Sequence, residues 1–112
     1  MLTPVEFSDF TKIEMRVGKI IAVEPNHKAK VPAYILKIDF GTFGIKISSA
    51  QLTANYQLDD LLDKHVVCVM NLIPKRVAGI KSEVLVLGAL SSSFGTKLIS
   101  VDMPIELGSK IG

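Results

Sequence analysis

Two histidines, one cysteine and three clustered aspartates are the residues of this 112-residue chain best suited to chemistry, and their spacing argues against it. A nucleophilic triad needs a histidine placed to take a proton from a serine or a cysteine. His27 stands beside Lys28 in a loop-forming stretch and His65 opens an apolar run after Lys64, so solvated surface and strand-end roles account for both. Asp59, Asp60 and Asp63 crowd one turn, where capping and hydration explain them, and no pair of carboxylates flanks a cleft. Cys68 lies within Val66-Val67-Cys68-Val69. Alone, it forms no intramolecular disulfide, and without a basic neighbour it reads as a small buried hydrophobe. One cysteine and two distant histidines make no metal-ligand set. Gly41/Gly44 and Gly79/Gly88 match neither a phosphate-binding loop nor a dinucleotide fingerprint. The expectation is a protein that is not an enzyme and uses no metal or cofactor.

What remains is binding chemistry, carried by clustered charge. The formal net charge is only +2, with a pI near 8.7, too small an excess for a protein that coats DNA. Taken by segment, the charge is +3 over residues 25–58 and +4 over residues 64–81, offset by an acidic turn at 59–63. Lys28, Lys30, Lys37 and Lys46 belong to the first basic stretch, and Lys75, Arg76 and Lys81 to the second. Single-stranded nucleic acid held by stacking would require aromatic side chains among these lysines. Phe43 and Tyr56 are the only candidates, so a folded RNA or an extended polypeptide fits better than a stacked strand.

These residues need a scaffold, and the apolar pattern is mostly that of short strands. Thr3-Pro4-Val5-Glu6 has the form of a capping box with proline at the first helical position, predicting a short helix that carries Phe7 and Phe10. Met15–Val23 alternates loosely. Ala33–Phe40 alternates cleanly, with Tyr34, Leu36, Ile38 and Phe40 on one face. Gly41-Thr42-Phe43-Gly44 predicts a hairpin into residues 45–49, with Ile45 and Ile47 inward and Lys46 and Ser48 outward. Residues 50–56 suit a helix of about two turns, followed by a tight turn at Asp59–Leu62. Strand character returns at 65–70 and 77–89, with an irregular end carrying Leu98–Val101.

Five or six strands, two short helices and no β-α-β alternation predict an all-β domain spanning residues 1–112. The helix between strands 3 and 4 favours a five-stranded OB-fold Greek-key barrel with a short N-terminal helix. The binding face of such a barrel lies on strands 2 and 3 and on the loops joining strands 1–2 and 4–5. That topology gathers Lys28, Lys30, Lys37, Lys46, Lys75, Arg76 and Lys81 on one side.

Hydrophobic residues make up 48% of the chain and mean hydropathy is +0.39, which excludes disorder, while no apolar run approaches the length of a membrane span. The start MLTPVEFSDF lacks the basic and apolar regions of a secretory signal, so a cytoplasmic protein without membrane insertion is expected. Val66–Met70 and Val84–Leu87 are apolar on both strand faces. A second copy of the chain covering their outer sides predicts a two-fold dimer.

At the level of motifs, Met15-Arg16-Val17-Gly18-Lys19-Ile20 resembles the first strand of the tRNA-binding domain appended to some methionyl- and tyrosyl-tRNA synthetases, in the former as a C-terminal domain. Pro32-Ala33-Tyr34, Ile38-Asp39-Phe40-Gly41, the stretch Ile45–Gln51 and the long stretch Asn71–Ala89 resemble the CsaA branch of that family, the export-related chaperones. The resemblance covers about residues 7–112.

It implies an OB barrel, a homodimer, a chaperone for unfolded or precursor polypeptides working beside the secretion ATPase SecA, and a surface related to one that holds tRNA. In the RNA-binding relatives the contacts come from positions that correspond here to Ser48 or Ser49, Asn71, Lys75, Arg76 and Ser82. Lys81 joins them from the charge pattern. Two departures stand out: Ser82-Glu83-Val84-Leu85 replaces the Ser-x-Gly-Met motif of the RNA-binding relatives and adds an acidic group that repels phosphate, and Val31 stands where CsaA relatives usually carry a second basic residue.

Overall fold

The computed structural model describes residues 1–112. Its centre is a five-stranded antiparallel sheet of β1 (Met15–Pro25), β2 (Tyr34–Asp39), β3 (Ile45–Ala50), β4 (His65–Val69) and β7 (Leu85–Val86), in the order β3-β2-β1-β4-β7. Two hairpins stand off this sheet: β5 (Lys75–Val77) with β6 (Ile80–Ser82), and β8 (Gly88–Ser91) with β9 (Gly95–Leu98). The sheet is built around β1, one long strand shared between two partners. The first half of β1 pairs with β4 and the second half with β2, and an irregularity in the β1–β2 pairing between Ile20 and Ala22 lets the strand bend between them.

The ends of the sheet meet to make a nearly closed OB barrel, and side chains complete the seam. The Glu83 N–H donates to the Ile47 carbonyl (2.8 Å), and the Ile47 N–H donates to Glu83 Oε1 (3.0 Å). One step along, the Ser49 N–H donates to Ser82 Oγ (3.1 Å). The seam residues therefore satisfy backbone donors of β3 that would otherwise be a free sheet edge. Inside lie Ile20, Leu36, Ile38, Phe40, Leu52, Leu61, Val66, Cys68 and Val84.

The register reverses the expected facing of β3. Lys46 lies opposite Ile38 and Ser48 opposite Leu36, which puts them on the core side, and Ser48 is 1% exposed. Ile45, Ile47 and Ser49 lie opposite Asp39, Lys37 and Ile35 on the outer face. Large residues on β2 fill this part of the barrel, so small Ser48 and Ala50 fit opposite Leu36 and Tyr34, and hydrophobicity alone misplaces the two isoleucines.

Both helices shift from the predicted positions. α1 covers only Phe7–Phe10 and begins after Glu6, so the Thr3–Glu6 capping box does not form; Phe7 stays exposed. The helix between strands 3 and 4, α2, is Leu58–Leu61 rather than residues 50–56, with a reciprocal capping box between Gln57 and Asp60. Tyr56 explains the displacement. Its carbonyl accepts the Tyr34 hydroxyl proton (2.9 Å) and its own hydroxyl accepts the Leu98 N–H (2.9 Å), bonds that hold 51–56 as non-helical chain against the barrel. The predicted strand at 77–89 is likewise broken, by a turn at Ala78-Gly79 with φ of 47° and 83°. Two successive positive φ angles mark the tight hairpin turn whose twist matches paired strands.

Strand β4 is buried on both faces within the single chain. Val17, Val67 and Val69 are buried outside the main core, and the C-terminal stretch runs beside β1 through Gly108 N–H to Val17 O (2.8 Å) and Val17 N–H to Ser109 O (2.9 Å). The apolarity of 66–69 thus requires no second subunit, whereas Leu85 in the second apolar run stays 49% exposed.

Burial pushes the Cys68 thiol up from 9.0 to about 12. The thiol is therefore expected to resist alkylation at about pH 8 in the native protein and to react on addition of denaturant, as followed by mass spectrometry. Because the folded value lies above the unfolded one, its contribution to stability is complete below pH 9.0 and is lost as pH rises toward about 12.

Candidate functional site

The β5–β6 hairpin lies over the barrel seam and leaves a groove of about 550 Å³ beneath it. Strand alternation decides what enters. Lys75 pairs with Ser82 and Val77 with Ile80, and Lys75, Val77 and Ser82 all line the groove, whereas Arg76 pairs with Lys81 on the opposite face of the hairpin. Leu72 and Ile73 reach in from the loop after β4, Ser49 from the outer face of β3, and Val84 and Leu85 from the segment at the seam. Pro74 ends that loop just before β5. Ile73 is 92% exposed and Leu85 49%, a large apolar surface left open to solvent.

Most polar groups around this groove already have partners in the chain. Asn71 Oδ1 accepts the Glu14 N–H (2.8 Å) and Nδ2 donates to the Lys12 carbonyl (2.6 Å), tying the segment after α1 to the end of β4. Ser82 Oγ and Glu83 Oε1 are held in the seam. Lys75 has no ion-pair partner within 4.0 Å and is exposed. The groove therefore offers apolar contact together with one free ammonium group, and the Glu83 carboxylate in its wall makes it unfavourable for phosphate.

A second groove of about 530 Å³ shares Ser49, Lys75 and Val77 with the first. Its lining includes Lys28, Lys30 and Gln51 and contains no carboxylate. Asn26 shapes the loop that presents these lysines: its Oδ1 accepts the Lys28 N–H (3.1 Å), its carbonyl accepts the Ala29 N–H (3.2 Å), and its N–H donates to Ala33 O (3.0 Å). An Asn hydrogen-bonded to its own backbone two residues on is a turn device, and it is the signal in Pro25-Asn26-His27-Lys28 that the charge pattern did not use.

The structure thus brings together Ser49, Asn71, Lys75 and Ser82 around one groove and adds Lys28 and Lys30 from its neighbour. It does not gather the rest. Ser48 is enclosed in the core, Arg76 and Lys81 face away, Lys37 lines a separate small hollow with Glu24, and Lys46 lines none of these grooves. Phe43 also lies elsewhere, with the Arg16 guanidinium 3.8 Å above its ring. Ile73, Val77 and Leu85 are the contributors that charge and motif did not single out. The signal was present in Val77, two residues from Lys75 on the same strand face.

No cluster of three or more His, Cys, Asp or Glu side chains that could hold a metal occurs in the fold. An OB barrel carrying an apolar groove along its seam and a lysine-lined groove beside it has the form of a binding domain. Residues 15–110 match the family described as "Putative tRNA binding domain", and the chain belongs to that family.

Two solved structures resemble it over nearly its whole length. The chaperone CsaA from Bacillus anthracis str. Ames is 43% identical with a TM-score of 0.93, covering 98% of this chain and 100% of that one. The CsaA chaperone protein from Picrophilus torridus is 46% identical with a TM-score of 0.91, covering 97% and 100%. The chain is also 36% identical over 107 residues to the methionine–tRNA ligase of Pyrococcus horikoshii, which is 96% of this chain and 14% of that enzyme. Only a small part of the ligase is therefore represented.

Proposed function

We propose that this chain acts as a CsaA-like homodimeric chaperone, holding unfolded or export-destined polypeptide in the apolar groove at the barrel seam. The observation that carries this reading is the state of the groove's polar groups. Asn71, Ser82 and Glu83 are hydrogen-bonded within the chain, while Leu72, Ile73, Val77 and Leu85 present apolar surface. An extended peptide gains from such a surface mainly by burying side chains. The two CsaA structures, alike over nearly the whole chain, support the same direction.

The dimer rests on apolar side chains left exposed outside the groove, notably Phe7 (76%), Leu90 (85%), Phe94 (72%) and Met103 (69%), which a second copy can cover. Function in the cytoplasm beside a SecA-type secretion ATPase completes this reading and rests on the likeness to CsaA alone.

A second reading, tRNA binding, is favoured by the family match and by the carboxylate-free groove containing Lys28, Lys30 and Lys75. Fluorescence anisotropy with a labelled unfolded polypeptide and with bulk tRNA separates the two. The proposal expects saturable peptide binding that survives added salt far better than tRNA binding would. Tight tRNA binding that falls steeply with salt, together with no peptide binding at tens of micromolar protein, would replace it. Sedimentation at micromolar concentration should give the mass of two chains; a monomer mass would remove the dimer.

A further inference from the structure

The two grooves differ in chemistry yet share a wall, and that juxtaposition selects among polypeptides. We infer that the segments held here carry acidic side chains directly beside an apolar block, the apolar residues entering the groove of Ile73 and Leu85 and the carboxylates reaching Lys28 and Lys30. The inference rests on the polypeptide-binding reading above and specifies its ligand.

Three observations carry it. The grooves are contiguous through Ser49, Lys75 and Val77, so one extended chain entering the first continues into the second without leaving the surface. Successive side chains of an extended strand point to alternate sides, so a short segment presents apolar and charged groups to both. The second groove holds three lysines and no carboxylate, and none of the three has an ion-pair partner in the chain. Lys28 and Lys30 stand on a loop fixed by Asn26, which is buried at 8% exposure, so their placement is set before any ligand arrives. Convergent, unpaired cations on an ordered loop favour a segment with negative charge and disfavour a basic one.

A nucleic acid also carries negative charge, but it has no apolar block for the adjoining groove, where the Glu83 carboxylate stands in the wall. The acid-bearing polypeptide fits both grooves together.

The test uses three labelled peptides with one common apolar block, followed by acidic, amide or basic residues, against the full chain and against its Lys28→Glu/Lys30→Glu variant. The acidic peptide should bind about tenfold more tightly than the amide peptide at about 0.05 M salt. That preference should shrink at about 0.3 M, because exposed charge pairs are screened. The basic peptide should bind most weakly, and the variant should reverse the order.

Equal binding of all three peptides overturns the inference while leaving the polypeptide reading intact. Binding of none at tens of micromolar protein overturns both. Tighter binding of tRNA than of the acidic peptide, lost in the variant, assigns the lysine groove to nucleic acid and also overturns the inference.

Discussion

Leu85→Glu should weaken the binding of an extended apolar peptide at least tenfold without unfolding the protein. Leu85 is 49% exposed and lines the groove, so a bound chain would bury roughly half of its side chain. Full burial of a leucine is worth about 1.5–3 kcal/mol, so half of it contributes about 1 kcal/mol. The glutamate adds a second carboxylate near Glu83, in a wall that a bound peptide dries, and desolvating a charge there costs further. Together the two effects exceed the roughly 1.4 kcal/mol that corresponds to tenfold in affinity. The fold is spared because Leu85 pairs with Val69 through its backbone, which the substitution leaves in place. The checks are the dissociation constant by anisotropy and the urea midpoint. A lost affinity accompanied by a matching loss of stability would indicate a damaged barrel and not a lost contact.

Gly18→Val should be the most damaging single change to the fold. Gly18 lies in β1 opposite Val66, facing the core, and a Cβ built on it would stand 2.5 Å from Ile38 Cγ2 and 2.6 Å from Phe40 Cε1. Ile38 and Phe40 are both 0% exposed, packed on every side, and neither has room to yield. Overpacking a filled core costs about 1–3 kcal/mol, occasionally more, and valine adds two methyl groups beyond the Cβ. A loss of about 3 kcal/mol or more is expected, read as a lower urea midpoint at unchanged slope. Gly18→Ala should show the same effect at smaller size, since even one carbon enters contact closer than real Cβ atoms adopt.

Much of this architecture could be read from residue patterns. The clean alternation of Tyr34, Leu36, Ile38 and Phe40 fixed the inner face of β2, and the glycines at 41 and 44 fixed the turn into β3. What failed was information that depends on closure. Whether Ile47 or Ser48 faces inward is decided by the bulk already placed opposite by Leu36 and Tyr34, and by the need of the Ile47 and Ser49 N–H groups to find acceptors across the seam. Neither is visible in a single strand's alternation.

The position of α2 was missed for a similar reason: the two hydrogen bonds of Tyr56 connect β2 and β9, elements distant in sequence. At the site, the lysines were legible as charge, but their partition was not. Strand alternation sends the adjacent Lys75 and Arg76 to opposite faces of one short hairpin, and only Lys75 then meets Lys28 and Lys30. Glu83 both opposes phosphate and closes the barrel through its two hydrogen bonds with Ile47.

The most direct test of the central claim is to map the binding surface residue by residue, by following backbone amide chemical shifts of the labelled protein during titration with an unfolded apolar peptide. The shifts are expected to concentrate at Ser49, Leu72, Ile73, Val77 and Leu85, the walls of the seam groove. Shifts centred instead on Arg76 and Lys81, on the other face of the hairpin, with the groove amides unmoved, would contradict it.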